Sequence, residues 1–293
     1  MTDGFVRARG GAEERHYPEA PEPLSFPIID NHTHLEIADS ALPLSPEEHL
    51  ERASAVGVTR IVQVGTDLAT SRWSTELASR DARVLAAVAL HPNEAPRLAE
   101  AGVLEAHLDG IAALAAHPRV RAIGETGLDF FRTEPPGQAA QRASFERHID
   151  IAKRHNLALQ IHDRDAHEDV VETLERVGAP ERTVFHCFSG DAALARLAAD
   201  RGWYLSFSGT VTFKNAPELR EALAVTPLDR IMIETDAPFL TPVPLRGRPN
   251  APYLLPHTLR FIANELGLDE RTAAEQFTAN TVAVYGSWED DVA

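Results

Sequence analysis

The sequence predicts an α/β fold, a (β/α)8 TIM barrel with a metal centre at the C-terminal ends of its strands. Three observations lead there. Short apolar segments, most of them β-branched, recur eight times at intervals of roughly 25–35 residues, the repeat of a barrel of ordinary size. Segments with helical periodicity lie between them, and strands alternating with helices imply βαβ units and a parallel sheet. Metal-type ligands stand at the ends of six of these segments, and in a barrel such ends converge on one mouth.

In chain order the strand segments are 27–35 (PIIDNHTHL), 60–66 (RIVQVGT), 84–92 (VLAAVALHP), 120–129 (VRAIGETGLD), 157–165 (LALQIHDRD), 183–189 (TVFHCFS), 203–210 (WYLSFSGT) and 231–238 (IMIETDAP). Helical periodicity is clear in 46–56, 141–155, 166–177, 192–201 and 217–225. A doubly wound sheet is the alternative, but the first strand-to-helix turn carries no G-x-G-x-x-G fingerprint. No Pro/Ser/Gly-rich linker divides the middle of the chain. Residues 26–288 therefore read as one barrel domain, after a polar and mobile extension (1–25) and before an acidic tail (289–293).

Composition narrows the function classes. Apolar residues at 44% and charged residues at 25% are ordinary for a soluble chain with a sizeable core. No apolar run approaches the roughly 20 residues that span a bilayer, and the first residues lack the apolar stretch of a secretory signal. The single cysteine, Cys187, rules out an internal disulfide and fits a reducing compartment, so the cytoplasm is expected. A net charge of −16 argues against broad binding to duplex nucleic acid, because phosphate affinity comes mainly from Lys and Arg. Bound divalent cations would restore positive charge where a phosphate must sit.

His32 and His34 form an H-x-H pair. With 13 histidines in 293 residues, composition alone yields roughly half such a pair, so context has to carry the motif. On a strand, alternate side chains share a face, which groups Asp30 with His32 and His34 and sends Asn31 and Thr33 to the other side. A nearby carboxylate could orient one ring. His91, Glu125, His162, His186 and Asp236 end other strands. Imidazoles and carboxylates in this number suit two divalent ions with positions left for water and substrate, and Mg, Mn and Zn are all compatible. Glu125, midway round the barrel, can bridge the ions. The only lysines are Lys153 and Lys214, neither of them at that strand end, so a carbamylated lysine has no residue here. Asp236 would complete one metal shell or orient the attacking water. Glu234 shares its parity and could support it.

The segments DNHTHL, ALHP, IGETGLDFF, QIHDRDA, FHCFSG, FSGTVTFKNA and IETDAPFL resemble, in this order, the motifs of the TatD family of metal-dependent deoxyribonucleases, from about residue 28 to residue 285. The resemblance implies a (β/α)8 hydrolase with two or three divalent metals. It places His32, His34, Glu125 and Asp236 on one metal and Glu125, His162 and His186 on the other. His91 would contact the substrate phosphate or a water at the metals. Two departures stand out: Ala251 where the family often has a glutamate, which bears on a rim contact, and His148 where a glutamine is usual.

Arg132, Arg164, Lys214, Arg246 and Arg248 fall in loops at the expected mouth and would bind flanking phosphates as cations. Phe130, Phe131 or Phe213 would stack on a base. Cys187, of opposite parity to His186, reads as a small buried hydrophobe. His167 reads as the exposed start of a helix. The expected function is hydrolysis of DNA phosphodiesters at single-stranded or frayed ends, by a monomer. The metals would make a water nucleophilic and Asp236 would take its proton. The resemblance favours 3′-to-5′ polarity. The same centre would serve an ester, lactone or amide hydrolase, including an aminoacyl-tRNA deacylase, because substrate choice lives in loops. A non-enzymatic binding scaffold is a further alternative, and the complete ligand set counts against it.

Overall fold

Eight short parallel strands close round one axis: β1 (Ile28–Thr33), β2 (Val58–Val64), β3 (Val84–Val88), β4 (Val120–Asp129), β5 (Ala158–Arg164), β6 (Thr183–Phe185), β7 (Tyr204–Phe207) and β8 (Ile231–Ile233). The computed structural model describes residues 7–289, so residues 1–6 of the expected extension and 290–293 of the expected tail lie outside the described residues. Each strand pairs with its sequence neighbour. Closure comes from the first and last strand ends. There the Asp236 N–H donates to the His32 carbonyl at 3.0 Å and the His34 N–H to the Ala237 carbonyl at 2.8 Å.

All eight expected strand segments contain strands, but several stop early. Segment 183–189 leaves the ladder after Phe185 and segment 231–238 after Ile233. Cys187 (φ 41°) and Asp236 (φ 51°) then take left-handed conformations. Aspartate enters that region more readily than most residues.

The helices are α1 (Pro46–Ala55), α2 (Leu68–Arg80), α3 (Ala95–Glu100), α4 (Leu104–Leu114), α5 (Pro135–His155), α6 (His167–Val177), α7 (Ala192–Asp200), α8 (Pro217–Val225), α9 (Leu255–Glu265) and α10 (Glu270–Tyr285). Helix α5 starts earlier than its periodicity indicates, because Pro135 and Pro136 fill a first turn whose N–H groups need no helical partner. A reciprocal Ser45–Glu48 box caps α1, and Asp67 with Thr70 does the same for α2.

Alternate strand residues fill the barrel: Ile29, Val62, Leu85, Ala87, Ala122, Ala158, Val184 and Met232 pack inward, with Tyr285 and Trp288 from the C-terminal region joining them. Above this apolar plug lies a polar floor. The Asn31 amide donates to Ser206 Oγ (2.8 Å) and the Ile233 carbonyl (2.6 Å). Gln160 Nε2 donates to the Asn31 carbonyl (2.8 Å) and the Tyr285 hydroxyl (2.6 Å). These bonds satisfy groups that would otherwise be costly to bury.

The described part of the extension is docked, which corrects the expectation of a mobile segment. Arg7–Ala8 pairs in parallel with Ile37–Ala38 beside the mouth. The Ala41 N–H donates to the Arg15 carbonyl (2.8 Å), the Tyr253 hydroxyl to that of Pro18 (2.7 Å) and the Leu24 N–H to that of Val56 (3.1 Å). Tyr17, Leu24 and Phe26 pack against the core. Polar composition hid this because the anchors are backbone carbonyls. At the other terminus Glu289 pairs with Arg60 at 2.7 Å. Among the described residues no helix is long and apolar enough to cross a membrane.

Deleting residues 1–24 should therefore lower the melting temperature by about 5 °C, a loss of about 2 kcal/mol in a chain of this size. Scanning calorimetry of the two forms checks this. Superimposed transitions would mean that the docked segment adds nothing to stability.

Candidate metal centre

The end of each contributing strand delivers one or two donors to a common space over the polar floor. Glu125, on β4, occupies its middle. Its Oε2 faces His32 Nε2 (3.7 Å) and His34 Nε2 (3.8 Å). Its Oε1 faces His162 Nδ1 (2.7 Å), His186 Nε2 (3.0 Å) and His91 Nε2 (3.4 Å). Asp236 Oδ1 lies 3.5 Å from His34 Nε2 and 3.8 Å from His32 Nε2. The His32 and His34 Nε2 atoms are 3.2 Å apart, and the His32 and His186 rings stack at 3.9 Å.

Hydrogen bonds at the far side of three of the rings, His34, His186 and His91, fix whether the nitrogen that faces inward carries a lone pair or a proton. His34 Nδ1 donates to the Val64 carbonyl at 3.0 Å, so the neutral ring presents a bare Nε2 to the cluster. His186 Nδ1 donates to Glu234 Oε1 at 3.1 Å, with the same consequence. His32 Nδ1 is buried with no partner. His91 is the opposite case. Its Nδ1 accepts the Asn93 N–H at 3.1 Å, so the neutral ring carries its proton on Nε2 and faces the cluster as a donor.

The electrostatics call for positive charge inside the cluster. Burial alone would raise the Glu125 pKa, yet the surrounding His186 and His91 hold it well below the usual carboxylate range. Burial works against a charged His34, but Asp236 and Glu36 push it up to about 9. His186 is likewise opposed by burial and driven well above its ordinary value by Glu125 and Glu234. His32 and His91 are lowered, chiefly by burial. Lone pairs converging on one space, with carboxylates that demand a cation, fit a divalent metal bound by nitrogen and oxygen. Three overlapping sets have that spacing: His32, His186 and Asp236; His32, His34 and Glu125; and His91, Glu125 and His162.

All the expected ligands thus meet at one mouth, but some surrounding residues differ from expectation. Asp30 does not share a face with the histidine rings. The β1 register is irregular between Asp30 and Thr33, and the Asp30 carboxylate accepts the Thr235 N–H (2.9 Å) and hydroxyl (2.5 Å). Burial pushes its pKa up to about 8. It ties β1 to the Asp236 turn instead of orienting an imidazole. Cys187 lines the cavity, because its left-handed backbone breaks the strand alternation that would have turned it away. His167 is half-exposed at the start of α6 and pairs with Asp163 at 2.7 Å. His148 accepts the Leu90 N–H at 3.1 Å, steadying the strand end that carries His91. Ala251 is buried, away from any rim contact.

A cavity of about 670 Å³ opens over the cluster. Of the five expected substrate-binding cations, Arg132 and Arg164 line it, whereas Lys214, Arg246 and Arg248 are exposed outside that lining. Arg248 instead donates to the His16 (2.8 Å) and Tyr17 (3.1 Å) carbonyls and anchors the extension. Arg246 stacks on Phe213 and Arg142 on Phe130, away from the cavity, while Arg164 stacks on the exposed Phe131.

Several contributors escaped the sequence reading. Glu36 is buried behind His34 (3.8 Å to Nδ1) and accepts from Gln63 (2.8 Å). Asp129 lies 3.3 Å from His162 Nε2 and accepts from Asn93 (3.0 Å). The acidic residue two places after His34 was a usable signal for Glu36, since parity puts it on the same side. Arg7, Arg9 and Phe239 also line the cavity, and no local pattern marks them.

Comparison with known proteins bears on this geometry. The family model for TatD related DNase matches residues 29–286. An uncharacterized metal-dependent hydrolase TatD of Mycobacterium tuberculosis is 44% identical over 266 residues, covering 88% of this chain and 98% of that protein. A protein of Salmonella typhimurium named 3′-5′ ssDNA/RNA exonuclease TatD is 32% identical over 257 residues, covering 86% and 96%. Among solved structures, the Escherichia coli TatD homolog YJJV superposes with a TM-score of 0.79 at 26% identity, covering 89% of this chain and 98% of that one.

If Glu125 is shared between two ions, Glu125→Gln should weaken both, by about 10-fold or more each, whereas His162→Ala should chiefly deplete one. Calorimetric titration with Mn2+ and metal analysis after dialysis distinguish the two patterns. Full occupancy of both ions in the glutamine variant would end the bridging assignment.

Proposed function

Because the chain belongs to the TatD-related DNase family and is a metal-dependent hydrolase, we propose that it is an exonuclease cleaving phosphodiester bonds at single-stranded or frayed DNA ends. One observation carries this most: Glu125 stands between two groups of imidazoles at the base of a pit whose wall bears Arg132 and Arg164. A pit suits a chain end better than a closed duplex, and the activity named for the Salmonella relative supports the same substrate class and 3′-to-5′ polarity. A single cysteine supports a cytoplasmic setting.

In this reading His32, His34, Glu125 and Asp236 hold one divalent cation, and Glu125, His162 and His186 hold the other. Bound there, the cations supply Lewis acidity, which makes a water nucleophilic near neutral pH and offsets charge on phosphoryl oxygens. Asp236 takes the proton of that water. His91, with its Nε2–H directed into the cluster, donates to a phosphoryl oxygen as negative charge grows there. Glu234 locks the His186 ring in its inward-facing tautomer. Arg132 and Arg164 hold phosphates beside the scissile one.

End-labelled single-stranded DNA should be shortened stepwise from its 3′ end in the presence of Mg2+ or Mn2+, and chelation with EDTA should abolish the reaction. Cleavage of closed circles in preference to ends, or brisk aryl-ester hydrolysis with no action on DNA, would overturn the proposal. His91→Ala should lower kcat by roughly 10²–10³, the cost of one donor to a developing oxyanion, with metal content retained. Loss of metal from that variant would make His91 a ligand instead.

A further inference from the structure

Two of the four arginines on the cavity wall come from outside the family-matched residues. Arg7 and Arg9 belong to the docked extension: Arg7 opens the short strand that pairs beside Ile37–Ala38, just after His34, and Arg9 follows it, its N–H donating to the Ala38 carbonyl at 2.8 Å. Both side chains reach the same cavity wall. Arg7 Nη2 lies 3.1 Å from Glu36 Oε1 and 3.2 Å from Thr66 Oγ1. Arg9 Nη1 lies 3.0 Å from Asp39 Oδ2 and 3.4 Å from the Pro238 carbonyl, with its guanidinium 4.9 Å above the Phe239 ring.

Neutralising buried carboxylates is the simpler role for such arginines, and it does not account for both. Asp39 is already paired with Arg15, so Arg9 is a second cation on one carboxylate. Glu36 already accepts from Gln63. The carboxylates are fully buried while the Arg7 and Arg9 side chains remain 43% and 41% exposed. Their partners therefore hold the guanidinium groups without covering them. The bonds named engage one terminal nitrogen of each, leaving the other N–H groups of each fork for an anion. Position adds to this. Arg132 follows β4 and Arg164 ends β5, whereas the extension pairs beside the end of β1, across the mouth in an eight-stranded ring.

We propose that residues 7–9 form a substrate-binding arm in which Arg7 and Arg9 grip a phosphate flanking the scissile one in single-stranded nucleic acid. The arm rests on the nuclease reading. It gives an acidic chain a cationic wall on the side of the mouth that Arg132 and Arg164 do not reach. Phosphate contacts of this kind set affinity and register without reading sequence.

The test uses the full chain with Arg7→Ala and Arg9→Ala combined, assayed on a single-stranded oligonucleotide and on bis(p-nitrophenyl) phosphate, which has no flanking phosphate. KM for the oligonucleotide should rise about 10-fold with a much smaller change in kcat, as expected for lost hydrogen bonds to a charged group. The salt dependence of log KM should flatten by about 0.7 for each phosphate contact removed. The loss on the small diester should be several-fold smaller, and the Arg7→Lys, Arg9→Lys pair should restore part of the oligonucleotide affinity. Equal losses on both substrates would overturn the proposal, because the arginines would then act through Glu36 and His34. An unchanged oligonucleotide KM and salt slope would also overturn it while leaving the nuclease reading intact. A wild-type protein inactive on DNA and RNA would overturn the nuclease reading and the arm with it.

Discussion

Glu125 keeps its charge at a barrel mouth where only 5% of the residue meets solvent, so neighbouring groups must supply the positive charge that water would otherwise stabilise. The architecture meets that demand from several directions. His32 and His34 arrive from β1, His91 from the end of β3, His162 from β5 and His186 from the end of β6. Only a closed sheet brings the ends of the first, middle and last strands round one carboxylate. In an open sheet of eight strands β1 and β8 would lie at opposite edges. The bonds from Asp236 to His32 and from His34 to Ala237, which close the ring, therefore also assemble the site.

A second layer turns a set of histidines into a directed one. Val64 and Glu234 fix His34 and His186 with bare nitrogens facing inward, whereas the Asn93 N–H fixes His91 the other way round. Identical side chains thus acquire opposite roles from a single outer bond each, the kind of support that governs metal affinity and reactivity. Below them, the amides of Asn31 and Gln160 separate this charged layer from the apolar plug, and Tyr285 joins the two.

Surface charge and site charge diverge in this molecule. The chain carries −16 overall, yet four arginines line the cavity, Arg132 from a barrel loop, Arg164 from the end of β5 and two from the extension. The extension holds its place through carbonyl groups bound by Arg248, Arg260 and Tyr253 and through Tyr17 on the core. An acidic exterior disfavours broad contact with duplexes, and the arginines on the cavity wall stand among carboxylates, Glu94, Glu125, Asp163 and Asp236, that also line it.

By itself, the sequence determined the barrel and its donors. Apolar strand segments alternating with helical periods specify a parallel sheet. Histidine and carboxylate at strand ends identify the mouth, because both patterns are local and repeat at fixed spacing. Tertiary structure alone decided three other matters. Asp30 and Cys187 depart from strand parity because the β1 register is irregular in one case and the backbone turns left-handed after β6 in the other. Which nitrogen of His91 or His34 faces the cluster depends on an outer partner, Asn93 N–H or the Val64 carbonyl, and residue type does not report it. The docking of the extension, and with it the placement of Arg7 and Arg9, rests on partners such as Arg248 and Tyr253, more than 200 residues away in the chain. Contacts at that separation leave no periodic trace, since they are made only when the ring closes and brings its two ends together.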